Sequence, residues 1–359
     1  METFGPGVLS ARFEMLVSGV HYVPPAPGKG ETMPNDNTVR PTDRIHPQQA
    51  EALKRNAEIV AELGGPGEGV EEVRARAEAA RAVWNEGGPD MAVNEARTIA
   101  GPFRDVPVQL YRPSADGTLP VFVYLHGGGF RIGGPLSNDR QMREIAAAWG
   151  GAVISADYVH VPEHSFPDPV DEIVAVLEWV AEHGGEWGLD TDRIAIGGAS
   201  AGASVALGAA ITLRDKGRVD LLKAIVSLYG VLDYNLESDS MTELGGGDFM
   251  LTTEYTQMVY DGYVPDAGDR SDPRAFAAKA DPTGLPPIFI AAAELDPIRD
   301  DSLTFATTLK EAKHFFVLEV YPGVMHAFFG YSPVIDEAKR LINDTATFLG
   351  RALTPGGRG

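Results

Sequence analysis

Four short stretches of this 359-residue chain carry groups that could act together on a carbonyl carbon. Ser200 lies in Gly198-Ala199-Ser200-Ala201-Gly202, where an apolar run at 194–196 gives way to tiny residues and then to an alanine-rich stretch. That succession predicts strand, tight turn and helix, with the serine on a strained turn that pushes its hydroxyl into a cleft. The tiny neighbours let backbones cross closely, and the helix start places the amide of Ala201 beside any negative charge that develops there. Alone the signal is weak, because a plain glycine turn would look the same in a chain with 41 glycines.

Three partners strengthen it. His126-Gly127-Gly128-Gly129-Phe130 follows the apolar run 121–125. Three consecutive glycines are costly in backbone entropy, so main chain must approach something closely there, and the N–H groups of Gly127, Gly128 and Gly129 can converge with that of Ala201 on an oxyanion. His126 reads as an anchor of that loop. Asp296 follows the run 288–292 within Glu294-Leu295-Asp296-Pro297-Ile298-Arg299-Asp300. Pro297 disfavours a helical backbone at Asp296, and an acid at a strand's carboxyl end can hold a histidine in one tautomer. Asp300 and Glu294 are nearby rivals. His326, in Tyr321-Pro322-Gly323-Val324-Met325-His326-Ala327-Phe328, has the side chain best suited to take a proton from serine and return it to a leaving group near neutral pH. A different chemistry is spelled by His160-Val161-Pro162-Glu163-His164, which could bind zinc on a helix, but Pro162 opposes that helix and no metal is expected.

The elements that must position these groups follow from pattern. Residues 48–63 and 70–84 predict amphipathic helices, either a structural flap or a lid. Strands are predicted at 106–110, 121–125, 152–156, 194–196, 224–228, 288–292 and 315–321, with helices at 138–149, 170–183, 201–214, 301–312 and 335–349. Pro107 places its strand near a sheet edge. Alternating strands and helices predict a mostly parallel sheet flanked by helices, with ligands beyond the strands' carboxyl ends. Residues 234–280 break the rhythm around a helical patch at 253–260 and read as the second half of a lid. Residues up to about 45 are expected to be extended and the tail from 354 frayed. Pairing through the edge strand 315–321 could give a homodimer.

Composition narrows the partners. A net charge of −21 disfavours nucleic acid and anionic membrane surfaces. With no cysteine, disulfides and thiolate chemistry are excluded. Glu2, Arg12 and Glu14 interrupt the apolar start, and no run reaches the roughly 18 apolar residues of a membrane span, so a cytoplasmic location is expected.

Together these stretches resemble the hormone-sensitive-lipase-like branch of the α/β-hydrolases, the bacterial carboxylesterases of that type. Asp157-Tyr158-Val159-His160-Val161-Pro162-Glu163-His164-Ser165-Phe166-Pro167 is similar to that branch's Asp-Tyr-Arg-Leu-Ala-Pro-Glu-His-x-Phe-Pro segment, and Asp296-Pro297-Ile298-Arg299-Asp300 to its Asp-Pro-Leu-Arg-Asp. The order Ser200, Asp296, His326 is the one the fold requires. The resemblance implies an α/β-hydrolase fold with a helical cap. Its parts would be an N-terminal extension with cap helices (1–95), a core in two pieces (96–233 and 281–359) and a cap insertion (234–280). It implies Ser200, Asp296 and His326 as a triad, Gly128, Gly129 and Ala201, with Gly127, as the oxyanion loop, a small ester as substrate and no cofactor. Alternatives are an amidase, lactonase or deacetylase with the same triad, or a ligand receptor on the same scaffold. Ala199 and Ala203 depart from the family's Gly-Asp-Ser-Ala-Gly-Gly elbow, and Val159, His160 and Val161 from its Arg-Leu-Ala.

Overall fold

A computed structural model describes residues 40–354; the expectations of extended chain before residue 40 and of a frayed end from 355 fall outside those residues. Two helices come first, α1 (Pro47–Glu62), capped by the His46 side chain, and α2 (Gly69–Trp84). There follow β1 (Val93–Ala100), β2 (Asp105–Arg112), β3 (Leu119–Leu125), α3 (Asp139–Trp149), β4 (Ala152–Ala156), α4 (Asp168–His183), β5 (Leu189–Ala199) and α5 (Ala201–Asp215). The chain continues through β6 (Leu222–Leu228), α6 (Asp239–Leu244), α7 (Thr253–Tyr263), β7 (Ile288–Leu295), α8 (Arg299–Glu311), β8 (Phe316–Met325) and α9 (Asp336–Ala352).

The strands form one eight-stranded sheet in the order β1-β2-β4-β3-β5-β6-β7-β8. β2 runs antiparallel to both its neighbours, and the pairs from β4 to β8 are all parallel. Strand periodicity sends alternate side chains to opposite faces. Val121, Val123 and Leu125 of β3 enter a core beneath α4, α5 and α8. Phe122 and Tyr124 enter a second core beneath α3 and α9. Both faces are therefore covered, which is why the parallel strands read as continuous apolar runs. α9 places Ala338, Leu341, Ile342, Thr345 and Leu349 on its buried stripe, the spacing of a one-faced helix. α5 is buried from Ala201 to Leu213, and its small residues make that depth accessible: a Cβ on Gly202 would lie 2.3 Å from the Leu125 carbonyl.

The predicted rhythm is present, and the Pro107 strand lies near the sheet's edge as expected, with one further strand outside it. The strand holding Pro107 lies second, because β1, whose Glu95 and Arg97 side chains give little apolar signal, pairs outside it. Pro107 is tolerated there because its carbonyl accepts from Asp157 N, just past the end of β4, so the missing N–H falls where the β2–β4 ladder has already stopped. β8 forms the opposite edge, as expected. The insertion between β6 and β7 contains α7 where a helical patch was predicted, and α6, which was not. Among the described residues no helix is long and apolar enough to cross a membrane.

Candidate active site

Ser200 stands between β5 and α5 with φ 54° and ψ −120°, a backbone conformation that non-glycine residues rarely adopt. The surroundings hold it there. Its N–H donates to the Leu228 carbonyl (2.8 Å), and its carbonyl accepts from Ala203 N (3.0 Å) and Val231 N (3.3 Å). Gly198 is obligatory beside it, since a Cβ there would lie 2.5 Å from the Gly202 carbonyl carbon. Ala199, which replaces an acid of the related elbow, is 3% exposed and packs into the core under α3 and α9. Main-chain bonds and close crossing therefore support the elbow without that acid.

Its hydroxyl donates to His326 Nε2 at 2.8 Å, and His326 Nδ1 donates to Asp296 Oδ2 at 2.7 Å. Asp296 is fully buried at the carboxyl end of β7, and its Oδ1 accepts from Ile298 N (3.1 Å), which fixes the carboxylate plane. An imidazole protonated on Nδ1 has a free Nε2 lone pair aimed at the serine, the arrangement a general base needs. The ring of Tyr229 meets that of His326 edge-on with centroids 5.1 Å apart, and Gln49 of α1 accepts from Met325 N, tying the N-terminal helix to the histidine loop. The rivals of Asp296 are engaged elsewhere: Glu294 accepts from Gly323 N and pairs with Arg44, while Asp300 accepts from Ser240 N.

The glycine loop lies against the elbow. A Cβ on Gly127 would sit 3.2 Å from Ser200 Cβ, one on Gly128 2.0 Å from the Ile132 carbonyl oxygen, and one on Gly129 2.9 Å from the Tyr255 hydroxyl. Gly128 and Gly129 have φ of 139° and 58°. None of the N–H groups of Gly127, Gly128, Gly129 or Ala201 donates to a main-chain oxygen among the described residues. His126 is the anchor expected: Nδ1 donates to the Gly127 carbonyl (3.0 Å), Nε2 lies 3.2 Å from Asp157 Oδ1, and its carbonyl accepts from Tyr158 OH (2.9 Å). Phe130 stacks on Tyr263 of α7 with centroids 3.7 Å apart, so the insertion grips the loop.

The zinc-like motif does not form a ligand set. Glu163 pairs with Arg74 and His164 with Asp168, while His160 turns to Asp157. Among the described residues, His126, Asp157 and His160 do gather with ligand atoms within 4.8 Å of one another. Arg104, a residue the sequence did not single out, donates to Asp157 Oδ2 (3.0 Å) and pairs with the buried Glu172, so the cluster already contains its cation. Burial would raise the Asp157 pKa, but the His126 hydrogen bond and the neighbouring cations outweigh it and hold the carboxyl at about 2. Burial, reinforced by the like charge of His126, pushes His160 down to about 3, so His160 is neutral.

Over Ser200 and His326 opens a cavity of about 190 Å³. Ala77, Ala80, Arg81 and Trp84 of α2 form one wall and Tyr255, Thr256, Val259 and Tyr260 of α7 another. Both halves of the predicted lid therefore border the serine. Arg81 escaped the sequence reading, because on a helix that also carries Arg74 and Arg76 nothing local marks the one that faces a cavity.

A strained serine elbow at the carboxyl rim of a mostly parallel sheet, backed by a histidine and an acid from later strands, defines the α/β-hydrolase class of fold. The sequence profile of the alpha/beta hydrolase fold matches residues 122–330, and the chain belongs to that family, in its hormone-sensitive-lipase-like branch. It is 36% identical over 279 residues to an acetyl esterase of Salmonella choleraesuis (strain SC-B67), a match covering 77% of this chain and 85% of the relative. Among solved structures it is similar to an ester hydrolase from the metagenome of Lake Arreo, crystallised with a bipyridine phosphonate derivative (TM-score 0.78, 29% identity, 85% of this chain and 98% of that one). The esterase of Pyrobaculum calidifontis matches with a TM-score of 0.76 and 30% identity over 80% of this chain and 95% of that one.

Proposed function

We propose that the chain is a carboxylic ester hydrolase working by two-step acyl transfer through Ser200. The hydrogen-bonded line from Ser200 Oγ through the His326 ring to Asp296 carries this reading, and the esterases among its relatives and structural neighbours support it. As Oγ attacks the ester carbonyl, its proton passes to His326 Nε2, and the imidazolium that forms is stabilised by Asp296. The carbonyl electron pair moves onto oxygen, which receives hydrogen bonds from the amides of Gly128, Gly129 and Ala201, each donor worth about 3 kcal/mol in the transition state. Collapse of the tetrahedral adduct breaks the bond to the alkoxy oxygen, which leaves as alcohol with the proton from Nε2. Water then repeats the sequence on the acyl-enzyme, releasing the acid and restoring Ser200. By this reading the substrates carry acyl groups of short to medium length. Ser200→Ala should lower kcat for 4-nitrophenyl acetate by about 10⁴- to 10⁶-fold with the fold intact; near-full activity in that variant would overturn the assignment.

A further inference from the structure

Among the described residues, the cavity over Ser200 holds one cation that the acyl-transfer steps do not use. Arg81, in the last turn of α2, donates from Nη1 to Ser137 Oγ (2.8 Å) and from Nη2 to the Gly127 carbonyl (3.4 Å). Both acceptors line the cavity, so the guanidinium itself lies at its wall. Among the described residues no Asp, Glu or Lys lines that cavity, and the nearby polar groups, Asn56, Asn85 and Asn138, are neutral. Arg81 is partly buried, which leaves it reachable through the cavity.

It also lacks the counter-charge that its neighbours have. Arg74 pairs with Glu163 and Arg76 with Glu72, whereas no carboxylate among the described residues lies within ion-pair distance of Arg81; Glu78, three residues earlier, is exposed and attracts it only at longer range. A guanidinium has five N–H donors; two are engaged here, which leaves three without an acceptor among the described residues. In a chain with 51 acidic residues, a partly desolvated arginine that forms no ion pair among the described residues is poised for an anion that arrives from outside. Gly127 joins it to the chemistry: its carbonyl meets Arg81, and a Cβ on it would meet that of Ser200 at 3.2 Å. The span between guanidinium and nucleophile is thus about one loop residue, bridged by a few methylene groups.

We propose that Arg81 recognises a carboxylate on the substrate, so that the preferred esters carry a second, unesterified acid group a few carbons from the scissile carbonyl or on the alcohol side. This rests on the ester-hydrolase reading and narrows its substrate class. The test compares 4-nitrophenyl hemiadipate with 4-nitrophenyl hexanoate, equal in chain length, and 3-acetoxybenzoate with phenyl acetate, in the wild type, Arg81→Met and Arg81→Lys. The wild type should favour the charged member of at least one pair in kcat/KM by about tenfold or more, Arg81→Met should erase that ratio by about 10- to 100-fold, and Arg81→Lys should restore part of it. Because the ratio is taken within each variant, a mere anchoring role for Arg81 would lower both members equally, and that result overturns the proposal. So does a wild type that prefers the neutral member of both pairs. A second readout needs no turnover: adipate should raise the melting temperature of the wild type more than that of Arg81→Met. If that shift is seen while no ester is hydrolysed, the anion site stands and the ester-hydrolase reading falls.

Discussion

Replacing Asp296 by asparagine changes one atom in a place where both carboxylate oxygens have assigned partners. Oδ2 accepts from His326 Nδ1 at 2.7 Å and Oδ1 from Ile298 N at 3.1 Å, in a site with no solvent access. An asparagine that keeps its oxygen on Ile298 N presents an NH₂ donor to His326, which must then carry its proton on Nε2 and can no longer accept from Ser200. The flipped asparagine preserves the tautomer but sets its NH₂ against the buried Ile298 N–H, an unsatisfied donor worth about 1–3 kcal/mol, so the competent form is roughly 1 in 5 to 1 in 150. Loss of the ionised acceptor for the imidazolium removes about another 1–2 kcal/mol from the transition state, a further factor of roughly 5 to 30. Together these predict a kcat for 4-nitrophenyl acetate lower by about 300-fold, within roughly a decade either way, and a KM little changed. Stopped-flow or steady-state release of nitrophenolate reads the rate, and the melting temperature reports whether the core survives. A folded Asp296→Asn protein within about tenfold of wild-type kcat would show that His326 does not depend on Asp296 for its tautomer.

Further outcomes follow from the loops around that line. Gly128→Ala places a Cβ on the Ile132 carbonyl oxygen and at a φ of 139°, so the loop must move and kcat should fall by about 10²- to 10³-fold, as for loss of one oxyanion donor. Gly127→Ala, whose nearest contact would be 3.0 Å to the Ala199 carbonyl, should be milder; equal losses in the two would refute the distinction. His160 is held neutral with its pKa pushed down to about 3, against about 6.5 when unfolded, so between those values the unfolded chain binds the extra proton and stability falls as pH falls. From pH 7 to pH 5 that linkage amounts to about 2 kcal/mol, and His160→Leu should flatten the urea-unfolding stability curve over that interval by about this amount. An unchanged slope would mean that His160 titrates normally in the fold.

What the chain shows to a reader of its letters is what local sterics enforce. Gly198, Gly202, Gly127 and Gly128 are recognisable because backbone passes at 3.0 Å or less from where a side chain would begin, a demand that only glycine meets and that the adjacent apolar runs locate at strand ends. Orientation across the molecule leaves no such mark. Glu294, Asp296 and Asp300 are equally acidic in one short segment, and the choice among them is made by where β7 ends and how the loop after β8 brings His326 across, a register set by the pairing of Leu295 with Met325. β1 was missed because an outermost strand with charged side chains needs no apolar alternation, and Arg104 because its partners Asp157 and Glu172 lie 53 and 68 residues away. The same distinction separates mechanism from selectivity here. The elbow and the glycine loop hold their geometry through close contact of neighbours in space that sequence pattern betrays. The wall over the serine is built by the packing of α2 and α7 over the sheet, where Trp84 sets its edge against Tyr331 and Arg81 lines the cavity. A rotation of α2 by one residue would take that cation from Ser137 and Gly127, whereas Ser200, His326 and Asp296 all lie on other elements.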